Sequence, residues 1–179
     1  MTLLVAEQQP EFAPGSEMTH LDHEPTQFLT FVLGGETYAI GILAIKEIIE
    51  YAGLTQVPMM PLSVRGVINL RGAVVPVIDP LARFDRAPSP ITKRTCIVII
   101  EVAADDGCQV IGMVVDAVNE VVDIVPADIE PPPTFGARIR CEFIQGIGKV
   151  KGQFAILLNI HRLLDVAEIG DLASITSAS

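Results

Sequence analysis

The chain has 179 residues, and its 12 Lys and Arg against 22 Asp and Glu give a formal net charge of −10. Such an acidic chain is unsuited to nucleic acid or to anionic membrane surfaces, and it permits a protein partner with a basic face. Half of the residues are apolar, but charged residues interrupt every apolar run before it reaches the roughly 18 residues of a membrane span. The composition therefore predicts a folded cytosolic protein.

Neither metal-binding nor catalytic motifs stand out. The three cysteines (Cys96, Cys108 and Cys141) are widely spaced, so we expect buried or half-buried free thiols and neither a disulfide framework nor a zinc site. His20 and His23 lack a further ligand nearby in sequence, which favours solvated side chains over a metal site. No nucleophile elbow, phosphate-binding loop or metalloprotease helix is present. We therefore interpret the chain as non-enzymatic and free of metals and cofactors.

The predicted strands begin after a polar leader. Residues 1–26 are acidic, contain prolines and lack Lys and Arg, a composition typical of a flexible segment. From Phe28, two β-rich runs surround Gly34 and Gly35, which predicts a hairpin. The next run, LAIKEIIEY at 43–51, fits either an amphipathic helix or a strand by periodicity alone.

The stretch from 64 to 84 predicts two short strands that meet at a tight Asn-Leu-Arg-Gly corner. Asp79 can cap a short helix that begins with Pro80, and His161 holds a similar place near the end of the second half. After a polar loop at 85–93 come a second hairpin (96–115), the run DAVNEVVDIV, a proline-rich connection and a third hairpin.

An internal repeat relates the two halves. The glycine-bounded heptad 66–72 matches 146–152, and AIKEIIE at 44–50 matches AVNEVVD at 117–123. The repeat superimposes Arg71 on Lys151, Asp79 on Asn159, and Glu47 on Glu120. Because the second copy is rich in valine, we predict that both ambiguous segments are strands. Each half then has about five strands and a terminal helical turn, a size that suits a small barrel.

The whole order of motifs resembles the CheW family of bacterial chemotaxis coupling proteins. The resemblance rests on IKEIIEY, GVINLRGAVVPVID, IVII, GMVVDAVNEVV, DIEPPP and GIGKVKG…ILLNI, and it runs from about Gln27 to Leu164. It implies a mainly β fold of two intertwined five-stranded SH3-like β-barrels that pack along a hydrophobic seam, with short helices at the ends of each half. The expected limits are a leader at 1–26, a CheW-like domain at 27–165 (first barrel about 27–84, linker 85–93, second barrel about 94–165) and a C-terminal tail at 166–179 that can form a helix.

The resemblance also implies a function. Proteins of this family are non-enzymatic adaptors that bind the cytoplasmic tips of methyl-accepting chemoreceptors and the regulatory domain of the histidine kinase CheA. We therefore expect a cytoplasmic protein, monomeric alone, that is recruited to membrane-associated receptor arrays and regulates the kinase there. The alternatives are the same role in a non-flagellar pathway (surface motility or another output), a small-ligand-binding barrel, and an enzyme.

By similarity, the receptor-facing surface should gather Ile45, Glu47, Gly66, Arg71, Gly72 and Cys96. Candidate kinase contacts are Met59, Met60 and Leu62. Arg71 either forms a structural salt bridge with Glu47 or presents its charge to the receptor. We favour a structural pair that also shapes the receptor-binding surface, because a buried arginine without its carboxylate would be strongly destabilising. For Ile45, core packing and groove lining remain equally open. Because Lys151 lacks the two-pronged guanidinium, we expect the Arg71 corner to be the locked one.

Overall fold

The computed structural model describes residues 26–104, 107–132 and 141–164, and most of these residues lie in strands. The first half contains β1 (Thr26–Leu33), β2 (Glu36–Gly41), a 3₁₀ turn (Ile42–Ala44), β3 (Ile45–Glu50), β4 (Val64–Leu70), β5 (Ala73–Ile78) and helix α1 (Pro80–Arg83). The second half contains β6 (Cys96–Ala104), β7 (Gly107–Val115), β8 (Ala117–Ile124), a 3₁₀ turn (Pro126–Asp128), β9 (Ile129–Glu130), a 3₁₀ turn (Cys141–Phe143), β10 (Ile144–Val150), β11 (Gln153–Leu158) and helix α2 (Ile160–Leu163). The two segments of ambiguous periodicity, β3 and β8, are both strands, as predicted.

The strands form two sheets of the same design. One has the order β3-β6-β7-β5-β4, and the other has the order β8-β1-β2-β11-β10-β9. The repeat therefore extends to the topology, since β8, β1, β2, β11 and β10 occupy the places of β3, β6, β7, β5 and β4. In both sheets a central hairpin joins its neighbour through a short parallel contact, β7 with β5 and β2 with β11.

The central hairpins are exchanged between the halves of the chain. The β1–β2 hairpin lies in the sheet that otherwise comes from the second half, and β6–β7 lies in the sheet that otherwise comes from the first half. The two SH3-like barrels are therefore intertwined, as predicted. Neither sheet is built from 27–84 or from 94–165 alone, so the linker at 85–93 separates the two repeats and not the two sheets.

The exchanged strands are apolar on both faces because each face meets a different core. In β6, Ile97 and Ile99 pack in a small core within the five-stranded sheet, whereas Val98 and Ile100 pack in the largest core of the molecule. Such a strand reads as a continuous apolar run, without the alternation of a half-exposed strand. β-Branched side chains suit this position because they pack well on a pleated surface.

The largest core is the seam between the two sheets. It draws buried side chains from β1, β2, β6, β7 and both helices, while each barrel encloses only a small cluster of its own. Phe31, Tyr38, Phe84 and Phe143 form a chain of ring contacts across this seam, with centroids 5.8–6.3 Å apart. The two barrels thus share their main hydrophobic stabilisation.

Each helix begins at an equivalent polar residue. The Asp79 carboxylate accepts a hydrogen bond of 3.0 Å from Leu81 N at the start of α1, as predicted. At α2 the cap is Asn159, whose side-chain oxygen accepts a bond of 3.3 Å from Arg162 N. The expectation for His161 is wrong, because this residue lies inside α2, beyond the capping position.

Several expectations concern thiols, metals and termini. Cys96 is half-buried as expected, but Cys108 is exposed because it lies at the hairpin end of β7. The side chain of Cys141, the histidines His20 and His23, and the tail at 166–179 fall outside the described residues. Within the described ranges, no three metal-ligating side chains converge, and no helix is long and apolar enough to cross a membrane.

Candidate partner-binding corner

The turn between β4 and β5 presents Arg71 at its tip. Arg71 and Gly72 both have positive φ angles, 53° and 88°, as a two-residue type I′ hairpin turn requires. The side-chain oxygen of Asn69 accepts a hydrogen bond of 2.8 Å from Gly72 N, which holds the turn. We call this turn, together with Glu47 on β3, the first corner.

Arg71 and Glu47 form a two-pronged ion pair at the first corner. Arg71 Nη1 donates to Glu47 Oε2 at 2.6 Å, and Nη2 donates to Oε1 at 2.9 Å. Hydrogen bonding to the guanidinium lowers the pKa of Glu47, and the same contact raises the pKa of Arg71. The Arg71 side chain is 72% exposed, so the expectation of a buried arginine is wrong: the turn projects beyond the sheet.

The pair joins two strands that share no backbone ladder. β3 and β4 are the two edges of the five-stranded sheet. Among the described residues, one isolated bridge also reaches the β4 edge: Thr55, five residues after β3, and Val67 exchange hydrogen bonds of 3.0 and 2.9 Å. Gly66 permits this approach, since a Cβ there would lie 2.5 Å from Thr55 O. The ion pair thus helps to close the barrel between its edge strands.

The repeat produces a second corner with a related pair. Lys151 and Gly152 have φ angles of 50° and 80°, and Lys151 Nζ donates to both carboxylate oxygens of Glu120, at 2.9 and 3.0 Å. One ammonium nitrogen makes both contacts here, whereas two guanidinium nitrogens make them at the first corner. Both corners therefore carry a cation that is paired with the equivalent glutamate.

The other predicted receptor-facing residues are spread along β3, β4 and β6. Ile45 and Cys96 lie at opposite ends of the β3–β6 pairing, opposite Ile100 and Glu50 respectively. Ile45 is half-buried and packs against the seam core, which favours the packing interpretation. Burial, followed by the charge of Glu50, raises the pKa of the Cys96 thiol.

The structure thus brings together only part of the predicted receptor surface. Glu47, Arg71 and Gly72 meet at the first corner. Gly66 is buried at the other end of β4, and Ile45 and Cys96 flank the corner along the sheet.

The predicted kinase contacts differ in exposure. Met59 is fully exposed and Leu62 is 94% exposed, whereas Met60 is half-buried and packs against the seam core. Leu43, in the 3₁₀ turn before β3, is 96% exposed. The sequence carries no signal for the exposure of Leu43, because this residue lies in an apolar run whose other members are buried or half-buried.

A partly buried ion pair joins Arg65 of β4 to Asp79 at the start of α1. Arg65 Nε lies 3.1 Å from Asp79 Oδ2, and the Asp79 side chain is only 5% exposed. Burial raises the pKa of Asp79 and outweighs the opposing effect of the Arg65 guanidinium. The local sequence predicts Asp79 as a helix cap, but it carries no signal that Arg65, 14 residues earlier, is its partner.

The protein belongs to a class of β proteins with two intertwined SH3-like barrels. In the first barrel, the Arg71–Glu47 ion pair joins the turn after one edge strand to the other edge strand. The family model described as "CheW-like domain" matches residues 27–168. The solved scaffolding protein TtCheW from Thermoanaerobacter tengcongensis is 34% identical, has a TM-score of 0.70, and covers 78% of this chain and 87% of its own.

Two relatives that this chain matches over most of their length are similar to it in sequence. The chemotaxis protein CheW of Klebsiella aerogenes is 34% identical over 143 residues, which are 80% of this chain and 84% of that protein. Protein FrzA of Myxococcus xanthus is 31% identical over 157 residues, covering 87% and 95% of the two chains. The chain belongs to the CheW family.

Proposed function

We propose that this protein is a non-enzymatic chemotaxis adaptor that couples the cytoplasmic tips of chemoreceptors to the histidine kinase CheA. The observation that carries the proposal is the family match over 27–168, which spans both barrels. The seam core that the two barrels share holds them together as one body, which suits a scaffold that binds more than one partner. In this role the protein is cytoplasmic, monomeric alone, and recruited to receptor arrays by its partners.

The receptor-facing surface centres on the first corner. Arg71 is exposed and paired with Glu47 at this corner, and Val74, two residues after Gly72, is 49% exposed and adds apolar area beside the turn. A helix tip can bind such a surface through a few apolar anchors and a surrounding polar rim. Ile45 and Cys96 contribute through the position of β3 and β6 more than through their own exposure.

The kinase-facing surface includes Met59 and Leu62, with Leu43 as an added candidate. Single exposed apolar residues are common on proteins, but these three are more than nine-tenths exposed. A methionine side chain adapts readily to a partner. Met60 serves instead to anchor this loop to the seam core.

The test uses purified protein with chemoreceptor cytoplasmic fragments and CheA. We expect co-sedimentation with both partners and an increase in kinase autophosphorylation. Arg71→Ala should reduce receptor co-sedimentation, whereas Lys151→Ala, the matched change at the second corner, should leave it unchanged. If folded wild-type protein neither co-sediments nor activates the kinase, the adaptor proposal is wrong.

A second candidate is the same adaptor role in a non-flagellar chemosensory pathway. This alternative is supported by the similarity to protein FrzA, whose name differs from that of the relatives called chemotaxis protein CheW. A deletion strain separates the two outputs: loss of swimming bias in soft agar supports the flagellar pathway, and normal swimming with altered surface spreading supports the other.

A further inference from the structure

Lys93 and Arg94 are held at the centre of a rigid turn just before β6. Thr95 Oγ1 accepts a hydrogen bond of 2.8 Å from Thr92 N, and Thr95 N donates to Thr92 O at 3.2 Å. Thr92 Oγ1 accepts a further bond of 3.1 Å from Arg94 N. These bonds hold the backbone on both sides of Lys93 and Arg94. The two exposed side chains therefore project into solvent from a hydrogen-bonded turn.

The turn forms one wall of an open cleft of about 520 Å³. The cleft is lined by Val32, Thr92, Lys93, Arg94, Asp116 and Ala117. Asp116 is already engaged, since its Oδ2 accepts bonds of 2.9 Å from Gly34 N and 2.8 Å from the Ser89 hydroxyl. Through Asp116, these contacts connect the linker and the β1–β2 hairpin to the side of the cleft that faces the turn. Hydrogen bonds between distant segments therefore maintain the shape of the cleft.

The charge of this turn is unusual for the molecule. The chain carries a net charge of −10, and five of its described cations are held in ion pairs: Lys46, Arg65, Arg71, Arg86 and Lys151. Among the described residues, neither Lys93 nor Arg94 has an acidic partner. Two adjacent, unpaired cations beside half-buried Val32 and buried Ala117 complement a segment that carries both acidic and apolar side chains.

The cationic turn is continuous with the proposed receptor surface. Cys96 Sγ donates to Arg94 O at 3.4 Å. Tyr51 N donates to Thr95 O at 3.2 Å, which fastens the turn to the end of the strand that carries Glu47. A helix tip that contacts Cys96 therefore lies next to Lys93 and Arg94.

We infer that Lys93 and Arg94 bind an acidic segment of the chemoreceptor tip, and that this contact supplies the salt-sensitive part of receptor affinity and selects receptors by their charge. The inference rests on the proposed adaptor function. It assigns a role to the end of the polar loop at 85–93 and to Arg94, which follows it.

The experiment measures the Kd of a chemoreceptor cytoplasmic fragment at 50 and 500 mM salt. The double charge reversal Lys93→Glu/Arg94→Glu should raise the Kd about tenfold or more at low salt, because it replaces two attractive contacts with repulsive ones. The two proteins should converge at high salt, where exposed charges are screened. The charge-preserving pair Lys93→Arg/Arg94→Lys should behave like wild type.

Arg162→Glu is the matched control, since Arg162 is an exposed cation on α2 outside the cleft. It should leave the Kd unchanged. If wild-type protein binds the fragment and the double reversal keeps the same Kd and salt dependence, the inference is wrong while the adaptor proposal stands. If the reversal weakens binding to the kinase regulatory domain and not to the receptor, the inference is also wrong. If folded wild type binds no receptor at either salt concentration, both fall together.

Discussion

Arg71 holds a left-handed backbone conformation (φ 53°) that glycine would adopt with less strain. Its guanidinium nevertheless pairs with Glu47 through two nitrogens. A strained residue that persists at an exposed turn points to a contact made by its side chain. Lys151 repeats the arrangement at φ 50°.

Two substitutions at this position separate stability from binding. Arg71→Gly relieves the backbone strain and should be at least as stable as Arg71→Ala, although both lose the ion pair. Both variants should lose receptor binding to a similar degree, as measured by co-sedimentation, while thermal melts rank glycine at or above alanine. A glycine variant that melts well below the alanine variant contradicts the strain argument.

The Glu47–Arg71 pair should matter little for stability. An exposed pair in water contributes only weakly to the free energy of unfolding, and the Arg71 side chain is mostly exposed. In a double-mutant cycle with Glu47→Ala and Arg71→Ala, we expect small, less than additive effects in urea denaturation. Strict additivity would mean that the two side chains do not interact in solution.

Asp79 should make stability depend on pH in an unusual direction for a carboxylate. Burial raises its pKa above the ordinary 3.8, so the folded state binds the proton more tightly than the unfolded state does. The contribution of this group is therefore greatest at low pH and is lost as the pH rises from the unfolded-state value through the raised folded-state value. We therefore expect the unfolding free energy of wild type, minus that of Asp79→Asn, to increase as the pH falls through that interval. A difference that shrinks on acidification would show that the Arg65 contact dominates instead.

At the scale of elements, two equivalent glycines let a neighbouring segment approach β4 and β10. A Cβ at Gly66 would lie 2.5 Å from Thr55 O, and one at Gly146 would lie 2.9 Å from Glu130 O. The glycines recur in the repeat because the same close backbone approach occurs in both barrels. This close approach accounts for the first glycine of each heptad, whereas Gly72 and Gly152 at the other end take the positive φ of the turns.

Gly66→Ala should destabilise the fold by about 1–3 kcal/mol, the usual range for an inserted methyl group that forces a backbone shift. Chemical denaturation measures the change, and Gly146→Ala should act in the same direction. Gly41→Ala is the control, because a Cβ there meets nothing within 4 Å and its φ is −63°. Equal effects at 66 and 41 would rule out the steric explanation.

At the scale of the whole molecule, the exchanged hairpins make the two halves interdependent. The β1–β2 hairpin pairs with β8 and β11, and β6–β7 pairs with β3 and β5. The seam core then takes side chains from both halves. The protein should therefore unfold as one cooperative unit.

Cutting the chain in the linker tests this interdependence. We expect fragments 1–87 and 88–179 to lack a cooperative melt when separate, because each exposes strands whose partners lie on the other. Mixing them should restore the near-ultraviolet circular dichroism of the intact chain, which serves as the reference. A cooperative transition in either isolated fragment would show that one half folds as a barrel by itself.

Local chemistry in the sequence is sufficient for much of this fold. The positions of β1–β2 and β4–β5, the Asp79 cap and the strand character of β3 follow from turn residues, β-branched side chains and the repeat. The contact between Arg71 and Glu47 also has a sequence signal, because the repeat places a basic tip and an edge-strand glutamate in both halves.

Only the tertiary structure decided which strands pair and which side chains reach the surface. The hairpin exchange has no local signal, because a strand that is apolar on both faces fits the centre of either sheet. The exposure of Arg71 depends on how far its turn projects, and the cleft beside Lys93 depends on Asp116 and Gly34, which lie 82 residues apart. Sequence patterns encode local conformation, whereas these features arise from contacts between distant segments.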